Sequence, residues 1–145
     1  MKTYQLHTSI LRSPEISRDL EVPGTLSLYK LAGAILSAYG FDFDHCFGFF
    51  SNVDFDSPHR SKKQYELFRD LIDEGEDLEP VESQSVKKTA VADVWQTPGD
   101  LMMFYFDYGD DWRFSVTLLG FGVRDDQKKY PRVFNKHGPA PKQYP

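Results

Sequence analysis

Few side chains in this sequence are placed to do chemistry. His45 and the acids Asp107, Asp110 and Asp111 supply an imidazole and carboxylates, the groups that divalent metals and general acid-base catalysis use. No metal-ligand spacing motif joins them, and His45 reaches the three acids only if their strands are neighbours. The architectural alternative is that His45 donates to a backbone carbonyl. Asp107 would then accept from the Trp112 indole or from backbone amides, and Asp110 would shape a turn. The single cysteine, Cys46, adjoins His45, but adjacent strand residues point to opposite faces. A buried structural cysteine is therefore expected. There is no Gly-x-Ser-x-Gly elbow, no phosphate-binding glycine-rich loop and no Cys-x-x-Cys. A divalent-metal or hydrolytic site at His45, Asp107 and Asp110 stands as one reading; no motif indicates a cofactor or a known enzyme class.

Any such site depends on strands to position it. Tyr4, Leu6, Thr8 and Ile10 alternate with polar residues, which predicts a half-buried strand that Ser13-Pro14 breaks. Ile16, Arg18, Leu20 and Val22 share one face of a second strand, which Pro23-Gly24 stops. A helix is expected from Thr25, as N-cap, to Tyr39, with Leu28, Leu31, Ala32, Ile35, Leu36 and Tyr39 forming its core stripe and Gly40 closing it. His45, Phe47 and Phe49 share a face of a further strand, and Asp54 to Pro58 reads as loop. A second helix is expected over Lys63–Ile72, followed by a mobile acidic loop from Asp73 to Gln84. Lys88 to Trp95 fits either a short strand or a helical turn. Thr97-Pro98-Gly99-Asp100 is a turn.

The best-marked feature is the hairpin of Leu101–Tyr108 and Asp111–Leu119. Gly109 is expected to supply a positive φ in a two-residue Gly109-Asp110 loop. In that register Met103, Tyr105, Asp107, Trp112, Phe114 and Val116 share one face, with Asp107 opposite Trp112. The run Tyr105-Phe106-Asp107-Tyr108-Gly109-Asp110-Asp111-Trp112 resembles the Tyr-x-Asp-Phe-Gly-Asp-x-Trp signature of the plasmid pRiA4b ORF-3-like family, with Tyr105, Gly109 and Trp112 as its structural residues. Other segments are similar in the same order. They are Tyr4-Gln5-Leu6, Val22-Pro23, Thr25-Leu26 through Phe41, Asp44-His45-Cys46-Phe47-Gly48-Phe49, Tyr130-Pro131-Arg132 and Gly138 to Pro145. The resemblance spans most of the chain except about Ser51 to Lys87. It implies an α+β fold and no established activity, in a family whose naming carries a mobile-element context. The sequence departs from it in having Phe114 where many relatives have His, and Pro141-Lys142-Gln143 where many have an acidic stretch.

Composition bounds the rest. At 145 residues with 40% hydrophobic and 15% aromatic side chains the chain has a real core, burying roughly 70% of its unfolded surface. The expected fold is α+β, an antiparallel-rich sheet packed with two or three helices in a single domain over residues 1–145. A lone cysteine, no signal-peptide pattern at the first residues and no long apolar run predict a cytoplasmic protein without a membrane partner. The net charge of −5 argues against a general nucleic-acid binder, although Arg124, Lys128, Lys129, Arg132 and Lys136, with Tyr130, could form a local basic patch. Aromatic-rich strands and a proline-rich final segment point instead to a binding or accessory module for another protein or peptide. Exposed Phe43, Phe55 or Tyr144 would favour that reading.

Overall fold

The computed structural model describes residues 1–53 and 58–144. In chain order the elements are β1 (Lys2–Ile10), β2 (Ser13–Pro23), α1 (Leu28–Ala38), β3 (Phe47–Phe50), a 3-10 turn (Pro58–Arg60), β4 (Gln64–Glu66), α2 (Leu67–Asp73), α3 (Val91–Val94), β5 (Leu101–Phe106), β6 (Trp112–Val123) and β7 (Arg132–His137). The strands form one sheet, β4-β3-β5-β6-β1-β2-β7, and every neighbouring pair is antiparallel. This is the expected α+β architecture. The loop read at Asp54–Pro58 lies, Pro58 apart, outside the described residues, as does Phe55. Among the described residues, no helix is long and apolar enough to cross a membrane.

The alternation of β1 and β2 sends Tyr4, Leu6, Ile10, Leu20 and Val22 into the core. Thr8 and Arg18 share that inner face and are buried too. Buried polar groups need partners, and the Thr8 hydroxyl donates to the Arg18 carbonyl at 2.7 Å and meets the Tyr39 hydroxyl at 3.0 Å. Pro14 does not break the strand pair as expected. The turn is Leu11-Arg12, and pairing jumps from Ser9↔Ser17 to Ile10↔Ser13. Pro14 therefore sits in a bulge, where no ladder hydrogen bond is asked of it.

Helix α1 is capped by Ser27, whose hydroxyl accepts from the Lys30 amide at 3.1 Å, and not by Thr25. The backbone of Leu26 to Tyr29 is occupied by Pro23, Thr89 and Val86, so the chain cannot turn helical sooner. Its other end follows expectation. Gly40 at φ 73° lets the Gly40 and Phe41 amides return to the Ser37 and Leu36 carbonyls. The stripe Leu28, Leu31, Ala32, Ile35 and Leu36 packs on the sheet face carrying Phe47, Phe49, Phe104, Phe106 and Phe114.

The helix expected over Lys63–Ile72 is divided. Gln64–Glu66 is strand β4, paired with β3, and only Leu67–Asp73 is helical. Gln84 explains this: it accepts from the Glu66 amide and donates to the Gln64 carbonyl, so non-local pairing overrides the local period. The stretch Glu76–Glu82 carries no regular element, whereas the next residues are tied down through Gln84. The ambiguous Lys88–Trp95 segment contains the short helix α3.

Candidate functional site at the hairpin corner

The β5–β6 ladder ends at Phe106↔Trp112, so the connection is the five residues Asp107–Asp111 and not a two-residue loop. Gly109 has no positive φ. The left-handed positions are Asp107 (φ 57°) and Asp111 (φ 62°). Asp tolerates this region because its short side chain can bond nearby backbone, and the Asp110 amide donates to Asp107 Oδ1 at 3.2 Å. The Asp111 amide closes the loop onto the Asp107 carbonyl at 2.7 Å. This register corrects the expected face. Phe104, Phe106 and Phe114 point into the main core with Trp112 packed against it, while Met103 and Tyr105 join Phe50 in a smaller cluster on the opposite face.

Asp107 is consequently buried at the loop's entrance, with its amide donating to the Cys46 carbonyl at 2.9 Å. That bond fixes the residues just before β3 beside it. His45 is not in a strand on the Phe47 face, as expected, but in the exposed approach to β3. Its Nδ1 lies 2.7 Å from Asp44 Oδ1 and 3.3 Å from Asp107 Oδ2. His45 and Asp107 thus converge. The Trp112 indole does not donate to Asp107 in the way anticipated: its Nε1 is buried without a hydrogen-bond partner among the described residues. Instead the Trp112 ring meets Phe41 edge-on at 4.7 Å.

The corner is completed by Gly138–Tyr144, within the proline-rich final segment. Three of its residues are held by hydrogen bonds and a fourth borders a cavity. The buried Arg18 guanidinium donates to the His137 and Gly138 carbonyls, both at 3.0 Å, while it also binds the Ala38 and Ser17 carbonyls and lies over the Tyr39 ring. Pro141 forms one wall of a cavity of about 300 Å³ whose other walls include Ile10, Ile16, Arg12 and Trp112. The Gln143 amide exchanges two hydrogen bonds with the Asp42 backbone, accepting from its N–H at 2.7 Å and donating to its carbonyl at 3.1 Å. The Tyr144 hydroxyl donates to Asp44 Oδ2 at 2.6 Å and stands 3.3 Å from His45 Nδ1.

These contacts set the charges. The Asp44 hydrogen bond raises the pKa of His45; desolvation opposes it, and the Asp107, Asp44 and Asp110 charges add to the rise. The Tyr144 hydroxyl holds Asp44 below the usual carboxylate range, and Asp44 in turn pushes the Tyr144 phenol up to about 12. Asp111 serves elsewhere, bridging Arg12 Nη2 at 2.8 Å and Arg113 Nε at 2.7 Å. Burial raises its pKa, but hydrogen bonds with Arg113 and Tyr105, then the Arg113 and Arg12 charges, leave it net lowered. Cys46 is half-buried, and burial followed by the Glu66 charge pushes its thiol up. Among the described residues no three His, Cys, Asp or Glu side chains are grouped to hold a metal ion.

The basic residues fall in and beside one connection, where Arg124 lies over the Tyr130 ring at 5.0 Å. Arg124, Lys128 and Lys129 are in the exposed β6–β7 connection, Arg132 pairs with Glu21 at 2.8 Å, and Lys136 lies opposite Arg18 on β7. One further polar cluster was invisible in sequence: buried Glu66 accepts from the Tyr108 hydroxyl at 2.6 Å and lies 3.3 Å from His59 Nε2. Burial, then the Glu66 charge, pushes the Tyr108 phenol far up.

A family model described as plasmid pRiA4b ORF-3-like protein matches residues 2–143, from β1 through Gln143. The chain belongs to the plasmid pRiA4b ORF-3-like family. The pRiA4b ORF-3-like match includes the Ser51–Lys87 region where motif resemblance was weakest, and it reaches into the segment that closes the corner. Among solved structures, a crystal structure of a protein of unknown function from Methanosarcina mazei Go1 is similar, with a TM-score of 0.72 and 23% identity over 93% of this chain and 69% of the other. That likeness shows the fold. No curated protein matches the sequence.

Proposed function

We propose that this protein is a binding module that recognises an extended, proline-containing segment of a protein partner at the hairpin corner. The observation that carries the reading is that Gly138–Tyr144 occupies a seat suited to any extended chain. Arg18 takes backbone carbonyls, the Asp42 backbone takes a side-chain amide, and Asp44 takes a hydroxyl. The Arg18 contacts read backbone rather than a particular side chain, which is what an exchangeable ligand requires. Phe43, exposed between Asp42 and Asp44, adds aromatic surface at the rim.

The test is calorimetry on the full chain carrying Gln143→Ala and Tyr144→Ala, titrated with the peptide Gly-Pro-Ala-Pro-Lys-Gln-Tyr. Saturable binding with a Kd of roughly 10 μM to 1 mM, abolished by a further Asp44→Ala, is expected. The absence of saturable heat would overturn the reading. A second reading, proton transfer by His45, has one observation in its favour: the imidazole sits between Asp44 and Asp107 with Nδ1 engaged and Nε2 free of partners among the described residues. It requires that His45→Ala and Asp107→Asn abolish turnover of some substrate in folded protein.

A further inference from the structure

The cavity beside the corner has apolar walls and a charged rim. It holds about 300 Å³, at the small end of ligand sites and roomy enough for a guest of amino-acid size. Its walls are Ile10, Ile16, the Trp112 ring and Pro141, which β1, β2, β6 and the final segment bring together at this end of the sheet. Ile16, Trp112 and Pro141 are each only partly buried. Apolar surface therefore stays open to water here, and a guest that covered it would gain the hydrophobic contribution.

The rim carries two guanidiniums and two carboxylates. Asp111 and Arg113 balance each other at 2.7 Å, and Arg113, with 11% of its side chain exposed, lies over the Tyr105 ring at 4.6 Å. One accessible cation and one accessible anion remain. The Arg12 side chain is 66% exposed, and the exposed Asp110 carboxylate pairs with no cation among the described residues. These two charges stand close, because Arg12 Nη2 is held 2.8 Å from Asp111 Oδ2, on the residue next to Asp110. The Ser13 hydroxyl completes the rim.

We infer that this cavity binds a free apolar α-amino acid of leucine size. Its side chain lies between Ile10, Ile16, Trp112 and Pro141, its carboxylate on Arg12 and its ammonium on Asp110. Charge selects this occupant. A hydrocarbon leaves both rim ions unused, a simple carboxylic acid brings a second negative charge beside Asp110, and a simple amine brings a second positive charge beside Arg12. A zwitterion meets both with opposite charge. The adjoining carboxylate and ammonium of an α-amino acid also suit a cation held one residue from the anion.

Titration of the full chain with L-leucine, followed by tryptophan emission, tests this. Leucine does not absorb in that range, and of the two tryptophans Trp95 is fully buried whereas Trp112 lines the cavity. A saturable change in emission with a Kd in the millimolar range or below is expected. Isocaproate, which lacks the ammonium, and isoamylamine, which lacks the carboxylate, should each bind at least tenfold more weakly. Asp110→Asn should weaken leucine at least tenfold without weakening isocaproate, a pattern that loss of folding would not give. Lys136→Ala, on β7, should leave leucine binding unchanged. The titration uses the intact chain with Gly138–Tyr144 in place and no added peptide, so its outcome is separate from that of the peptide exchange. No saturable change with leucine overturns the inference. So does equal binding of the three compounds, or indifference of leucine binding to Asp110→Asn.

Discussion

Asp107 is the residue on which the corner turns. It carries a left-handed backbone, caps its own loop through the Asp110 amide, and presents its second carboxylate oxygen to His45. Asp107→Ala and Asp107→Gly lose the same side-chain bonds, but only Ala keeps the strain of a Cβ at positive φ. Urea denaturation should therefore show Ala to be less stable than Gly by ~1 kcal/mol, the reverse of their usual order in regular structure. His45 gives a pH signature. Its folded pKa is raised, so its contribution to the corner is complete below its ordinary value of 6.5 and is lost as pH rises through the folded value. Asp44 is depressed, so its contribution is complete above 3.8 and is lost as pH falls through its folded value. Gly138–Tyr144 should be held most tightly between those limits. Amide exchange of Gln143 and Tyr144 followed against pH should show maximal protection there, and histidine NMR should place the His45 titration above 6.5 and return it toward that value in Asp44→Asn.

At the scale of elements, patterns that depend on local chemistry were legible and those that depend on distant partners were not. The α1 stripe and its Gly40 terminus could be read directly, because a 3.6-residue period and a left-handed glycine are local properties. Gly40→Ala meets nothing within 4 Å, so the whole penalty is backbone strain, and a loss of ~1 kcal/mol in a thermal or urea melt is expected. Ser27 replaced Thr25 as the cap because the Leu28 and Tyr29 amides donate to the Thr89 and Val86 carbonyls and so make no helical bond back to Gly24 or Thr25. Gln64–Glu66 became strand because Gln84 pairs with it. Gly109 drew attention as the obvious turn glycine, yet the five-residue loop puts its left-handed positions on Asp107 and Asp111. The one signal overlooked was Arg18. A charged residue among Ile16, Leu20 and Val22 on an inner face must find partners there, and it finds four backbone carbonyls. Arg18→Met should leave those carbonyls without donors, cost about 2–3 kcal/mol, and release Gly138–Tyr144 to proteolysis.

Across the whole molecule, the family and the α+β fold emerged from ordered motifs and alternation. The site emerged only once topology had placed β3 beside β5 and returned the segment after β7 across β2 to Asp42. His45 and Asp107 were recognisable as chemistry-bearing residues, but their 3.3 Å approach depends on that strand order, and Gln143 and Asp42 carried no mark in sequence at all. The account's central claim is that this corner is a seat for an extended segment and that Gly138–Tyr144 is its resident occupant. The most direct test is amide chemical-shift mapping of the full chain bearing Gln143→Ala and Tyr144→Ala as the Gly-Pro-Ala-Pro-Lys-Gln-Tyr peptide is added. Saturable shifts confined to Arg18, Asp42–Cys46, Asp107–Trp112 and the displaced segment 138–144 are predicted; shifts elsewhere, or none, would contradict it.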